Sequence, residues 1–288
     1  MSNTIGDTTW RSKYRSASLA GALKAALVAE KICEVDRTDN KIIYNPYSST
    51  PTAVVQALAG TYTPATFTTT DDTLTVADEV VISEHIYNFE SILSKFDLFA
   101  DRQDKINNSI ATAIDLWVLN CLCDDGTGTY TTPAGGFTTA ANIITIMANL
   151  NSKVAGYAEA YKGTFLVIEN TDMVGFEIAQ ATSGYSAADS ALNNGFYRHF
   201  MGVDIYIVRS GTYVDATTST VSGTKTWLNS GYRVFGVKGV ATYAAPRGMT
   251  WDEKGVTGKT GKEVCGNGLM GFKLWAPVAG LIVRILIA

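Results

Sequence analysis

The chain has 288 residues, enough to bury one or two hydrophobic cores, and a formal net charge of −4 with only 17% charged residues. An acidic total without a run of Lys or Arg argues against tight packaging of nucleic acid through basic tails. No window approaches the roughly 18 consecutive apolar residues of a membrane-spanning helix, and polar Met1–Trp10 lacks the apolar centre of a secretory signal.

The first segment with a pattern is Ser18–Lys31, where Leu19, Leu23 and Leu27 recur at helical spacing and Ser16 or Ser18 can cap. Trp10, Arg11, Lys13, Tyr14 and Arg15 precede it as an aromatic–basic arm, and an exposed Trp on an arm needs a docking surface elsewhere. Lys41–Tyr44 reads as a short strand that Asn45-Pro46 should break. Ser48–Thr70 is rich in Ser, Thr, Pro, Gly and Ala around VVQALAG. Thr73–Ser83 alternates, with Leu74, Val76, Val80 and Ile82 on one side. Together these predict a long hairpin running out and back. Its apolar content is too thin for a core of its own, so it must lie on another surface, a neighbouring chain being the natural one.

Asn88 can cap a helix over Phe89–Phe96, with a kink or restart at Asp97. Over Asp97–Cys123, Ile106, Ile110, Ile114, Trp117, Val118, Cys121 and Leu122 form one stripe. Asp101, Arg102, Asp104, Lys105, Asn108 and Asp115 fall mostly off it. Such a helix is roughly 40 Å long, a spine, and Gly126 in DDGTGTY suits its C-terminal turn. Thr138–Val154 is predicted as a second amphipathic helix with a Thr-Thr start. Strand Thr164–Ile168 leads into a short helix, Asp172–Gln180, capped by Asn170 or Thr171. Gly184–Asn194 is a loop, Val203–Val208 a strand, and Gly211–Thr226 another loop. Tyr232–Val237 and Val240–Tyr243 are short strands. Residues 253–268, rich in Gly and Lys, look exposed or tied down only by a partner. Leu269–Trp275 and Ala279–Ile287 are strands divided by Pro277.

Charge is unevenly spread. Residues 34–125 hold 15 acids against five Lys/Arg, while 225–288 hold nine Lys/Arg against three acids. Such blocks either meet between neighbouring subunits or are separately solvated faces. Low charge with many Thr, Ala, Gly and Asn suits a surface largely covered by copies of the same chain. The four cysteines, Cys33, Cys121, Cys123 and Cys265, are expected as reduced thiols. Cys121 and Cys123 lack nearby partner ligands, since His85 and His199 lie far off in sequence, and read as small apolar residues at a helix end.

GTFLVIENTDMVGFEIA (strand, cap, helix), NNGFYRHFMGVDIYIVRSG (loop, glycine, strand) and the ending GFKLWAPVAGLIVRILI follow the β excursion and the long helix. In this order and spacing they resemble the major capsid proteins of tailed phages, the Hong Kong 97 type. The resemblance runs from about Asn40 to the end. It implies an α+β fold: an N-terminal arm (1–39), an extended β loop with its flanking strands (40–86), a peripheral domain with the spine helix (87–137 and 247–277) and an axial domain (138–246 and 278–288). It also implies a head protein that assembles as pentamers and hexamers into an icosahedral virion shell in the host cytoplasm. That shell would enclose double-stranded DNA without sequence-specific binding. Other copies are the main partner, with portal, scaffold and decoration proteins beside them; no membrane, cofactor, metal or catalytic residue is expected. The chain departs from the family in two respects. No long scaffolding segment precedes the arm, and no Lys/Asn pair matches the type member's cross-linking positions, so covalent crosslinks are not expected.

The subunit-contact candidates are Trp10, Arg11 and Arg15 on the arm and Val54, Val55 and Leu58 in the loop. From the acidic block come Asp71, Asp72, Arg102 and Lys105, and from the basic block Lys254, Lys259 and Lys262. Two alternatives stand beside the capsid reading: the shell of a cellular nanocompartment of the same fold, and a monomeric α+β enzyme. Catalytic signals are thin. Glu84 and His85 are adjacent in a β segment and point to opposite faces, and His199 is placed on a loop. GVTGKTGK lacks the glycine spacing of a phosphate loop, and DDGTGTY lacks the alternating acids of a calcium loop.

Overall fold

The computed structural model describes residues 28–38, 42–48, 68–86, 98–183, 197–208, 232–246, 250–255 and 260–288, with single positions at 53, 55, 60 and 66. Residues 1–27 of the expected arm, most of Ser48–Thr70, the helix expected over Phe89–Phe96 and the two loops around 184–196 and 209–231 lie outside the described residues.

The spine helix runs over Leu98–Asp125 (α2), preceded by one short turn, Ala29–Ile32 (α1). Its predicted stripe is buried: Ile106, Ile110, Ile114, Trp117, Val118, Cys121 and Leu122 all face the core. At 28 residues it is about 42 Å long. The strand it lies along, Lys262–Leu274 (β12), has 13 residues and extends about 43 Å.

β12 is the hub of a five-stranded sheet. It pairs antiparallel with Asp78–Ile86 (β4), Ala241–Ala244 (β10) and Thr250–Gly255 (β11), and β10 carries the short parallel strand Glu34–Asp36 (β1). β4 and β11 pair with the same stretch of β12 and therefore flank it. Segment 253–268, expected to be exposed or held only by a partner, is thus largely ladder. β12 begins at Lys262, seven residues before the expected strand start at Leu269, and β11 is its hairpin partner. Long-range pairing supplies the order that a Gly-rich local pattern did not announce.

The second sheet has six strands in the order β5-β13-β9-β6-β8-β7: Gly128–Thr131, Ile282–Leu286, Tyr232–Val237, Thr164–Glu169, Val203–Val208 and Tyr197–Phe200. Central β6 is buried at every position, as a strand covered on both faces must be. Helices Ala140–Val154 (α3) and Met173–Ser183 (α4) pack on each other beside this sheet. α2 contacts β4 and β12 of the first sheet and β9 and β13 of the second, so one rod ties the two sheets together.

Ile42–Ser48 (β2) and Thr69–Thr75 (β3) form a separate hairpin. β2 runs straight through Pro46, where the sequence reading placed a break. Among the described strands β2 pairs only with β3, and a proline is tolerated in such an edge strand. The hairpin's base is seated by Leu74 and Val76 against Ala244 and Trp275. Gly271 of β12 permits the approach: a Cβ there would stand 3.0 Å from the Thr75 carbonyl oxygen and 3.1 Å from Leu74 and Val76.

Smaller expectations are corrected as well. DDGTGTY yields β5, parallel to β13, and YRHF is strand β7, which places His199 opposite Asp204 in a ladder rather than on a loop. The helix after β6 starts at Met173. A 3-10 turn at Asn170–Asp172 precedes it, and the cap is Glu169, in reciprocal bonds with Asp172. α3 starts at Ala140 with no side-chain bond from Thr139. Pro277 sits in a 3-10 turn, Ala276–Leu281, and the last strand is Ile282–Leu286.

Candidate subunit-contact surfaces

The residues expected at subunit contacts fall into three groups. Trp10, Arg11, Arg15, Val54, Leu58 and Lys259 lie outside the described residues. Val55 is 100% exposed, and Asp71 and Lys105 are also exposed. Lys254 and Lys262 sit in the β11–β12 hairpin, where Lys254 is opposite Glu263 and Lys262 opposite Gly255.

Asp72 and Arg102 are engaged within the subunit. Asp72 takes the Lys273 ammonium at 2.8 Å and accepts the Ala276 N–H at 3.1 Å, fixing β3 to the end of β12 and the turn after it. Burial pushes the Asp72 carboxyl up, but the Lys273 bond, the Ala276 N–H and the Lys273 charge outweigh it and hold the carboxyl below its ordinary value. One member each of the acidic and basic charge blocks therefore meet inside one chain. Arg102, expected to face away from the sheet, instead makes a two-pronged pair with Glu84 of β4, with Nε to Oε2 at 2.7 Å. Its long side chain lets a residue at the edge of the stripe reach back to the sheet. Glu84 and His85 diverge as alternation requires: Glu84 turns to α2, while His85 Nε2 lies 3.4 Å from the Thr260 carbonyl.

Two buried charge sites had no local sequence signal. Asp115, expected off the apolar stripe, is buried, and its carboxylate accepts the Val28 and Ala29 N–H groups at 3.0 and 2.9 Å. These are the free donors at the start of α1, so Asp115 fastens α1 to α2. In the second site Arg233 of β9 bonds Asp172 (2.6 Å) and Glu169 (3.2 Å), with all three side chains buried. This cluster ties the turn after β6 to β9.

Burial lifts the Asp115 carboxyl to about 6; the two N–H bonds pull it down less, Glu30 adds to the rise and Lys31 opposes it. Because the folded value lies above the unfolded one, Asp115's contribution is fully present below about pH 4 and is lost as pH rises through about 6. The rise from the ordinary 3.8 to about 6 corresponds to about 3 kcal/mol. The melting temperature of the wild type minus that of Asp115→Asn should therefore fall between pH 4 and pH 6. A difference that is flat over that range contradicts the assignment.

The cysteines behave as apolar filler. Cys33, Cys121 and Cys123 are buried, and burial pushes the Cys123 thiol up to about 12. Among the described residues no group of three or more His, Cys, Asp or Glu is placed to hold a metal ion, and no helix is long and apolar enough to cross a membrane. His199 Nδ1 lies 2.9 Å from Asp204, whose other oxygen takes Lys238.

No protein-family model and no curated protein sequence matches the chain. Solved structures do. The capsid of the cyanophage P-SCSP1u superposes over 100% of this chain and 97% of its own, with a TM-score of 0.70 at 12% identity. The mature capsid of bacteriophage PhiM1 covers 92% of this chain and 88% of its own, with a TM-score of 0.67 at 10% identity. A virus-like particle from Pyrococcus furiosus covers 92% and 93%, with a TM-score of 0.60 at 9% identity. The chain thus has the fold of these phage capsid proteins, the type that the order of its sequence segments resembles.

Proposed function

We propose that the chain is a major capsid protein, a structural rather than catalytic subunit that assembles with its own copies into a closed icosahedral shell around phage DNA. The observation that carries this reading is the end-to-end correspondence with a phage capsid, over 100% of this chain and 97% of the other. On this reading the peripheral domain, 87–137 and 247–277, holds α2, β11 and β12, and the axial domain, 138–246 and 278–288, holds α3 and α4 with β6 to β10 and β13. The β2–β3 hairpin begins the extended loop, residues 1–27 belong to the arm, and pentamers and hexamers share one subunit fold. Portal, scaffold and decoration proteins are the further partners, and assembly takes place in the host cytoplasm.

The loop tip supplies the test. Val55 is wholly exposed in the isolated subunit, which suits a segment that is covered only in an assembly. Replacing residues 49–67 by a short Gly/Ser turn should leave the melting temperature within a few degrees, because the seat of the hairpin, Leu74 and Val76 on Trp275, is retained. Closed shells should disappear. Normal shells from that variant would refute the assembly role of the loop. The Pyrococcus virus-like particle favours a second reading, a cellular compartment shell. Nuclease-protected DNA in the purified particles supports the phage head, and a copurifying enzyme supports the compartment.

A further inference from the structure

Between β1 and β2 lies a cleft of about 610 Å³, within the roughly 300–1,000 Å³ range of ligand clefts. Trp275, with Ile43 packed against its cluster, gives the cleft a buried apolar wall, and Tyr44, 64% exposed, lines it too. Trp275 is held in place by its Nε1–H, which donates to Thr242 Oγ1 at 3.0 Å. The rim carries Glu34 and Asp36. The one cation on the described rim, Arg37, is already paired to Glu30 at 2.9 Å, which leaves the mouth acidic. Both strands that border the cleft are edges: among the described strands β1 pairs only with β10 and β2 only with β3. An extended peptide can add to such edges while its side chains enter the cleft.

The arm has the complementary chemistry. Trp10–Arg15 reads WRSKYR, with two aromatics and three cations and no acid. Aromatic rings suit the Tyr44–Trp275 lining, Arg stacks on aromatic faces, and Arg and Lys complement Glu34 and Asp36. The 12 residues between Arg15 and Val28 span at most about 40 Å when extended, enough for this segment to reach another copy. We infer that the cleft between β1 and β2 receives the Trp10–Arg15 segment of a neighbouring copy of the chain. The inference rests on the self-assembly reading above and adds to it the surface into which the arm docks.

The test is a disulfide trap in the full chain carrying Trp10→Cys and Tyr44→Cys, the latter at a position 64% exposed. After oxidation with copper phenanthroline, non-reducing electrophoresis should show a ladder of covalent dimers and larger multimers. Either single substitution should give none, which controls for the native thiols. A product confined to single chains, with or without an internal bond, overturns docking between copies. As a second measurement, Glu34→Lys with Asp36→Lys should lower the assembled fraction severalfold, and adding Arg11→Glu with Arg15→Glu should restore it; failure of the restoration also overturns the pairing. Micrographs of the same samples separate the two claims. A ladder without closed shells upholds the docking and refutes the capsid reading, whereas shells without a ladder do the reverse.

Discussion

Ile110→Asp is expected to abolish the folded subunit. Ile110 is 1% exposed, in the middle of the stripe that α2 lays against the sheets. An Asp there loses the packing of a buried Ile, about 2–5 kcal/mol on truncation alone. It also places an unpaired charge in the core, for several kcal/mol more. A domain with the usual ~5–15 kcal/mol of stability does not survive that sum. Lys105→Glu, on the same helix at an exposed position, should change stability by no more than about 0.5 kcal/mol. Thermal unfolding followed by circular dichroism decides between them. An Ile110→Asp variant that melts with the wild type, beside a Lys105→Glu variant that fails to fold, would mean that α2 presents its opposite face to the sheets.

Arg233→Met should cost about 3–5 kcal/mol. The substitution keeps most of the side-chain volume and removes the charge, so the loss is electrostatic rather than a cavity. Without the guanidinium, Glu169 and Asp172 are two buried carboxylates with no cation between them, each side chain less than a tenth exposed. Asp172 retains only the Glu169 N–H at 3.1 Å among its contacts to that turn. The triple variant Arg233→Met, Glu169→Gln, Asp172→Asn should recover a large part of the loss, because no charge then remains buried. Urea midpoints of the wild type, the single and the triple variant measure this directly. A single variant as stable as the wild type would show that the cluster holds nothing together.

These two sites differ in how far the sequence announces them. The Ile106–Leu122 stripe is a periodicity carried by one helix, and every residue named in it is buried. The alternation of Leu74 and Val76 gives the buried side of the hairpin for the same reason. Arg233 stands 61 residues from Asp172, and Asp115 stands 87 residues from Val28, so their partners exist only once the sheets and the spine have assembled. Pro46 and the Gly-rich 253–268 segment misled for a related reason. Whether a strand is an edge, and whether a weak strand is held by neighbours on both sides as β12 is by β4 and β11, depends on pairing that no short window contains. Of the contact candidates, Arg102 and Asp72 turned out to have partners within the subunit because long side chains and neighbouring strands place a cation and an acid together.

The assembly claim is tested most directly by negative-stain electron microscopy of the purified protein, paired with its elution from a size-exclusion column. The account predicts closed polyhedral shells eluting in the void volume. A homogeneous monomer near the chain mass of 30.9 kDa, persisting across salt and concentration, would contradict it.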